Sequence, residues 1–152
     1  MGIRKTTIAA VALLAGTTLA LAAAPHATKD EAVAMVNKAV AAIKAEGIDK
    51  AYAEISTKGG KFSDRDLYVV VQTVGGKTLA HGANTKLIGK DMIDVQDVDG
   101  KYYIRERVAM AQKQSSFWQD YKFVNPVTKK IEPKTMYCQR LDETLVCAGV
   151  YK

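Results

Sequence analysis

Apolar positions in this chain follow two different periods, and the switches between them mark out its elements. From Thr28 to Gly47 the spacing is three and four: Val33, Val36, Val40 and Ile43, with Ala32 and Ala39 beside them. Thr28-Lys-Asp-Glu31 is a capping box, in which a Thr hydroxyl and a Glu carboxylate satisfy free amides at a helix start. Gly47 is a natural terminator. The pattern therefore predicts a helix over Lys29 to Glu46, with an apolar stripe that needs a sheet to cover it. Asp49 can cap a short helix through Ala53, and the polar run Ser56 to Asp66 reads as a loop. Leu67-Tyr-Val-Val-Val-Gln-Thr73 is a strand by its β-branched and aromatic content. Gly75-Gly76 turns it into a second strand, Lys77 to His81. Residues 82 to 97 are irregular or short-helical. Asp99-Gly100 opens another helix, where Ile104, Val108 and Ala111 share a face, and Ser115-Ser116 ends it. Phe117 to Phe123 is an aromatic strand, followed by a turn at Asn125-Pro126.

The chain closes on Thr135 to Tyr151, two strands joined at Asp142-Glu143. With a two-residue loop, Leu141 faces Thr144, and counting outward places Cys138 opposite Cys147 as a non-hydrogen-bonded pair, where Cα atoms lie closest. That separation suits a disulfide. The whole order is helix, two strands, helix, three strands. Short turns favour antiparallel pairing, which gives an α+β domain: a twisted antiparallel sheet of about five strands packed by helices.

The first residues predict export. Gly2-Ile3-Arg4-Lys5 is a basic start, Thr6 to Leu21 carries no charge, and Leu21-Ala22-Ala23-Ala24 offers the small residues that a signal peptidase needs. This is a Sec-type signal peptide over residues 1–22, cut after Ala22 or Ala23, since Pro25 is a poor first residue. The mature protein is then periplasmic or secreted, with a single domain over 23–152. The rival reading is an uncleaved N-terminal anchor. In an oxidising compartment the Cys138–Cys147 bond is expected. Lys and Arg number 22 against 16 Asp and Glu, a net charge of +6. The positive charges are scattered, with no dense basic patch interleaved with aromatics, which argues against nucleic acid as a partner. No second apolar span follows the first.

Few constellations carry chemistry. Val95 to Glu106 resembles a calcium loop at Asp97, Asp99, Gly100 and Glu106, but its first position is Val95, which cannot bind a cation; an Asp-rich helix start explains the same residues. His26 and His81 are too few for a zinc cluster. No serine sits in a nucleophile elbow and no glycine loop cradles phosphate. No cofactor and no catalytic residue is expected. What stands out is a concentration of Tyr68, His81, Trp118, Tyr121, Lys134 and Tyr137, aromatic and polar types that line pockets, with a Lys able to pair with a carboxylate.

These residues also resemble a family. Tyr68-Val-Val-Val, Leu79-Ala-His81, Asn84, Leu87-Ile-Gly-Lys90 and Asp97-Val-Asp-Gly-Lys-Tyr-Tyr103 look like a single Cache domain. So does the more specific closing pattern: Trp118, Tyr121, Phe123-x-Asn-Pro126, Thr128, Lys130, Lys134-x-x-Tyr137 and Gly149-Val-Tyr151. Ser115-Ser-Phe117 departs from the glycines usual before the Trp, and the cysteine pair is unusual for the family. The resemblance implies a PAS-like, extracytoplasmic sensory domain that binds a small organic ligand, often a short carboxylate. Its pocket would lie between the sheet and residues 82–113. By the resemblance, His81, Trp118, Tyr121, Lys134 and Tyr137 are the ligand-binding candidates, with Lys134 pairing with the carboxylate and the aromatics enclosing its carbon chain. Without an output domain of its own, such a module would report to a membrane sensor kinase or chemoreceptor. Exposed sheet edges leave room for a homodimer. Two alternatives stand beside this reading: an extracytoplasmic structural or interaction protein whose pocket is filled by side chains, and a small hydrolase.

Overall fold

The computed structural model describes Gly2 and residues 25–152. The expected signal peptide and its cleavage site lie outside the described residues. In chain order the elements are α1 (Lys29–Glu46), α2 (Ile48–Ile55), β1 (Ser63–Asp64), β2 (Leu67–Thr73), β3 (Thr78–His81), a 3-10 turn (Thr85–Leu87), α3 (Tyr103–Lys113), β4 (Ser116–Val124), β5 (Ile131–Leu141) and β6 (Thr144–Tyr151). The strands form one six-stranded antiparallel sheet, ordered β1-β2-β6-β5-β4, with β3 also paired to β2.

Helix α1 has the predicted bounds for the predicted reasons. The Thr28 hydroxyl accepts from the Glu31 amide at 3.3 Å, and the Glu31 carboxylate accepts from the Thr28 amide at 2.6 Å. Its buried residues Ala32, Val36, Ala39, Val40 and Ile43 lie on Leu67, Val69, Val71, Val146, Ala148 and Val150. These are alternate positions of β2 and β6, so one face of the sheet is apolar and is covered by α1, with Ala51 and Ile55 of α2 in the same cluster.

The opposite face carries the other set: Tyr68, Val70, Tyr121, Met136, Cys138, Leu145, Cys147 and Tyr151, covered by Tyr103, Ile104 and Ala111 of α3. Three details differ from expectation. A sixth strand, β1, pairs Ser63 with Tyr68 and Asp64 with Leu67; it is two residues long and polar, so it has no periodicity to read. Helix α2 begins directly after Gly47, without a side-chain cap from Asp49. Helix α3 begins at Tyr103 rather than at Asp99-Gly100. Asp97 instead caps the loop: its carboxylate accepts from the amides of Asp99 at 2.9 Å, Lys101 at 3.0 Å and Lys122 at 3.1 Å, pinning the crossing to β4. Among the described residues no group of three or more acidic, His or Cys side chains could hold a metal ion.

The β5–β6 hairpin has the two-residue loop, with Leu141 opposite Thr144 and Cys138 opposite Cys147. Asp142 takes the positive φ of 52° that the tight loop needs, a conformation Asp tolerates. The two cysteines are bonded, with Cα atoms 4.1 Å apart, and both are buried. Mass spectrometry of the exported protein should find it two hydrogens lighter than the reduced chain. Replacing both cysteines by Ala should cost about 2–4 kcal/mol of stability; an unchanged unfolding midpoint would show that the bond does not constrain this hairpin.

Candidate functional site

Strand alternation decides which residues can meet. Tyr121 on β4 pairs with Lys134 on β5, and Lys134 pairs with Tyr151 on β6. On β2 and β3, Val70 pairs with His81. Tyr68, His81, Tyr121, Lys134 and Tyr151 therefore share the face under α3. Trp118 and Tyr137 pair with each other on the opposite face. Their rings lie 5.2 Å apart against the α1 side, with the Lys29 ammonium 5.0 Å from the Trp118 ring. Trp118 and Tyr137 cannot line a pocket with the other three candidates, because both stand an odd number of residues from Tyr121 and Lys134 along their strands. Of the five expected residues, the structure brings His81, Tyr121 and Lys134 to one face and leaves Trp118 and Tyr137 on the other.

The face under α3 holds two buried cations. Lys134 is 1% exposed, and its ammonium donates to the Tyr151 hydroxyl at 3.3 Å. The same ammonium lies 4.0 Å from the Tyr68 ring, 4.7 Å from Tyr151 and 5.9 Å from Phe123. Among the described residues no carboxylate touches it. Burial pushes its pKa far below the usual lysine range, and the positive charge of Arg107 pushes it the same way; Asp66 pulls weakly upward. Room for the side chain comes from Gly149, where a Cβ would stand 2.6 Å from Lys134 Cε.

Arg107, 2% exposed, is the residue that the sequence reading passed over. Its Nε donates to Gln119 Oε1 at 3.0 Å and its Nη1 to Gln72 Oε1 at 2.6 Å. Both acceptors are neutral amides. Nη2 is buried with no hydrogen-bond partner. Gln119 is itself oriented by donating to the Tyr103 carbonyl at 2.7 Å and to Glu106 at 2.6 Å. Glu106 pairs directly with Lys101, 2.8 Å away, and acts on Arg107 only at longer range. Arg107 is thus positioned by neutral groups, with one donor left over. The guanidinium lies 5.2 Å from the Tyr121 ring and 5.7 Å from Tyr103.

His81 contributes a donor rather than a charge. Its Nδ1 accepts from the amides of Ala83 at 3.2 Å and Asn84 at 3.0 Å, which leaves the proton on Nε2. Burial, then Lys134 and Arg107, lowers its pKa to about 3. The ring stacks on Tyr68 at 5.1 Å. Between these residues lies a cavity of about 20 Å³, walled by Tyr68, Gln72, His81, Tyr103, Arg107 and Tyr121 among others. Lys134 does not line this closed space; it lies against the Tyr68 ring, which does. The volume suits roughly one water, so a larger occupant needs side chains to move.

An antiparallel sheet with a long helix on one face and a helix-loop cage on the other is the architecture of a PAS-like sensory domain. The chain belongs to the family Single Cache domain 2, whose model matches residues 12–151. It is 31% identical over 90 residues to the methyl-accepting chemotaxis protein McpP of Pseudomonas putida; that match covers 58% of this chain but 16% of the much longer relative. Among solved structures, it superposes on a methyl-accepting chemotaxis protein of Vibrio parahaemolyticus with a TM-score of 0.70 and 21% identity, covering 81% of this chain and 87% of that one. A Cache chemosensory domain solved for carboxylic acid recognition gives a TM-score of 0.64 with 22% identity, over 80% of this chain and 86% of that one. Among the described residues no helix is long and apolar enough to cross a membrane.

Two outcomes follow from this electrostatic arrangement. The His81 ring should stay neutral, as the Nε2–H tautomer, from pH 5 to pH 8; ring nitrogen shifts that titrate near the ordinary histidine value would contradict the two-amide lock. Lys134→Met keeps the volume and removes a cation that lacks a carboxylate partner, so it should stabilise the ligand-free protein by about 1–3 kcal/mol. The gain should be largest at low pH, where the lysine must be charged, and should shrink as pH rises above its lowered pKa. A loss of stability at low pH would show that the ammonium is already compensated.

Proposed function

We propose that this protein is an exported sensory module whose cage under α3 binds a small carboxylate, and that it has no catalytic role. The observation that carries this reading is the pair Arg107 and Lys134: two buried cations on one sheet face, with an orphan guanidinium N–H and no carboxylate in contact. A bound anion would supply the missing charge and accept from Arg107 Nη2, from Lys134 and from His81 Nε2. The charged and imidazole groups offered are all donors, and the lining holds no carboxylate for an ammonium. The cage accordingly favours short acids bearing only acceptors, such as 2-oxo acids, over amino acids. Tyr68, Tyr103 and Tyr121 would enclose the carbon chain.

The domain is read here as residues 23–152, released after removal of 1–22 and working in the periplasm or outside the cell. The chemoreceptor relatives support sensing as the role, with the ligand state passed to a membrane sensor kinase or chemoreceptor by contact. A homodimer is compatible with this role.

A thermal-shift screen of the oxidised protein tests the reading. A short carboxylate at a hundred times its dissociation constant should add about 2.7 kcal/mol, a shift of several degrees. Arg107→Ala and Lys134→Ala should each abolish the shift, while Trp118→Phe leaves it intact. A carboxylate whose affinity survives Lys134→Ala would remove Lys134 from the site. At pH values where the lowered pKa leaves Lys134 neutral in the free protein, binding should also take up a proton. The groups facing Lys134 are Tyr68, Tyr151 and Phe123, with Arg107 and Asp66 acting at longer range. An anion would raise its pKa from the lowered value, so affinity should fall as pH rises between the free and bound values; a pH-independent affinity from pH 6 to pH 10 would contradict this linkage.

A further inference from the structure

The cage, at about 20 Å³, is too small to admit a carboxylate as it stands, and two larger cavities lie against one side of it. One, of about 250 Å³, shares Tyr68, His81 and Phe123 with the cage and extends to Lys58, Asn84 and Lys129. The other, of about 200 Å³, shares Lys58, Tyr68, Ala83 and Pro126 with the first. Together they make one continuous vestibule. Its charged rim consists of Lys58, Asp64, Arg65 and Lys129. Asp64 and Arg65 pair at 2.7 Å, and Arg65 also holds Glu31 at 2.6 Å. Lys58 and Lys129 have no carboxylate partner among the described residues; Lys129 reaches only the Pro126 carbonyl. The vestibule is therefore positive at its mouth, continuous with a positive cage.

The dividing wall has one side chain that no hydrogen bond holds. Tyr68 is fixed by its hydroxyl contact with Tyr151 at 3.2 Å and by the Lys134 ammonium. His81 is fixed by the amides of Ala83 and Asn84. Phe123 has no hydrogen-bonding group, lies farther from the Lys134 ammonium than Tyr68 does (5.9 Å against 4.0 Å), is only partly buried, and meets Tyr103 and Tyr121 edge-on or tilted at 6.2 Å and 5.9 Å.

We propose that this vestibule is an outer anion-binding subsite, in which Lys58 and Lys129 capture the carboxylate before the Phe123 ring swings aside to admit it to the cage. This rests on the carboxylate reading of the cage for its second step, while the capture step stands on the vestibule alone. Opposite charges on a low-dielectric mouth raise the local concentration of an anion and its rate of association.

The test is an acetate titration of the exported, oxidised protein, followed by nuclear magnetic resonance line shapes. Lys58→Gln with Lys129→Gln should slow association roughly three- to tenfold at low salt and leave dissociation from the cage unchanged. The difference should vanish near 1 M salt, where screening acts over about 3 Å. Phe123→Ala should speed both association and dissociation. In Arg107→Gln, which disables the cage, acetate should still shift the Gly59 and Ala83 amides saturably, and the two lysine substitutions should remove that shift. Shifts at Gly59 and Ala83 without any response at His81 or Tyr121 in the parent chain would uphold the vestibule and refute the cage. Unchanged association in the lysine variant, or no response of Gly59 and Ala83 in Arg107→Gln, would overturn the proposal.

Discussion

Two cationic side chains buried against one face of the sheet, Arg107 from α3 and Lys134 from β5, set the terms for the rest of the molecule, and among the described residues no carboxylate touches either. A buried ion is expensive unless it is paired or hydrogen-bonded. Here the compensation is partial by construction: neutral amides of Gln72 and Gln119 hold the guanidinium, and tyrosine rings and one hydroxyl hold the ammonium. The remaining deficit is what an anion would relieve. Stability must then come from elsewhere. The α1 face supplies it with an apolar layer of Ala, Val, Ile and Leu side chains, and the Cys138–Cys147 bond ties the two strands that flank Lys134 and Gly149.

The division of labour follows from the two-residue alternation of the strands. Leu67, Val69 and Val71 serve the helix face; Tyr68, Val70 and Gln72 serve the cage. One strand thereby contributes an apolar core and a polar site at once. The cage is preorganised from outside itself: backbone amides at 83 and 84 set the His81 tautomer, and Tyr103 O with Glu106 sets Gln119, which in turn sets Arg107. Such supporting contacts keep donors aimed at a ligand without neutralising them. The cage has room for about one water, so any larger occupant would couple its binding to a conformational change. That coupling is what a sensory domain needs, because a ligand shifts an equilibrium only by its differential affinity for the two states.

Much of this was legible in the chain. The capping box and Gly47 bounded α1 because both ends are set by local chemistry. The hairpin register followed from a two-residue loop, which leaves one pairing for the cysteines. Strand β1 was illegible because two polar residues carry no period. The start of α3 was misread because Asp97 caps amides across a loop rather than a helix end, and Gly100 turns with a φ of 80° before the helix begins. For the site, His81, Tyr121 and Lys134 were picked out by the family resemblance. Trp118 and Tyr137 were grouped with them although strand alternation alone puts them on the other face. Arg107 had a signal as well: it interrupts the apolar stripe of Tyr103, Ile104 and Ala111 on α3, and a charge in such a stripe is either paired or awaiting a partner.

The most direct measurement is a crystal structure of the protein grown with a short carboxylate that stabilises it. The account predicts the acid inside the cage, one carboxylate oxygen within hydrogen-bond distance of Arg107 Nη2 and another within reach of Lys134 Nζ, with His81 Nε2 donating to the ligand. An acid bound on the α1 face beside Trp118 and Tyr137, or a cage still closed around both cations, would contradict it.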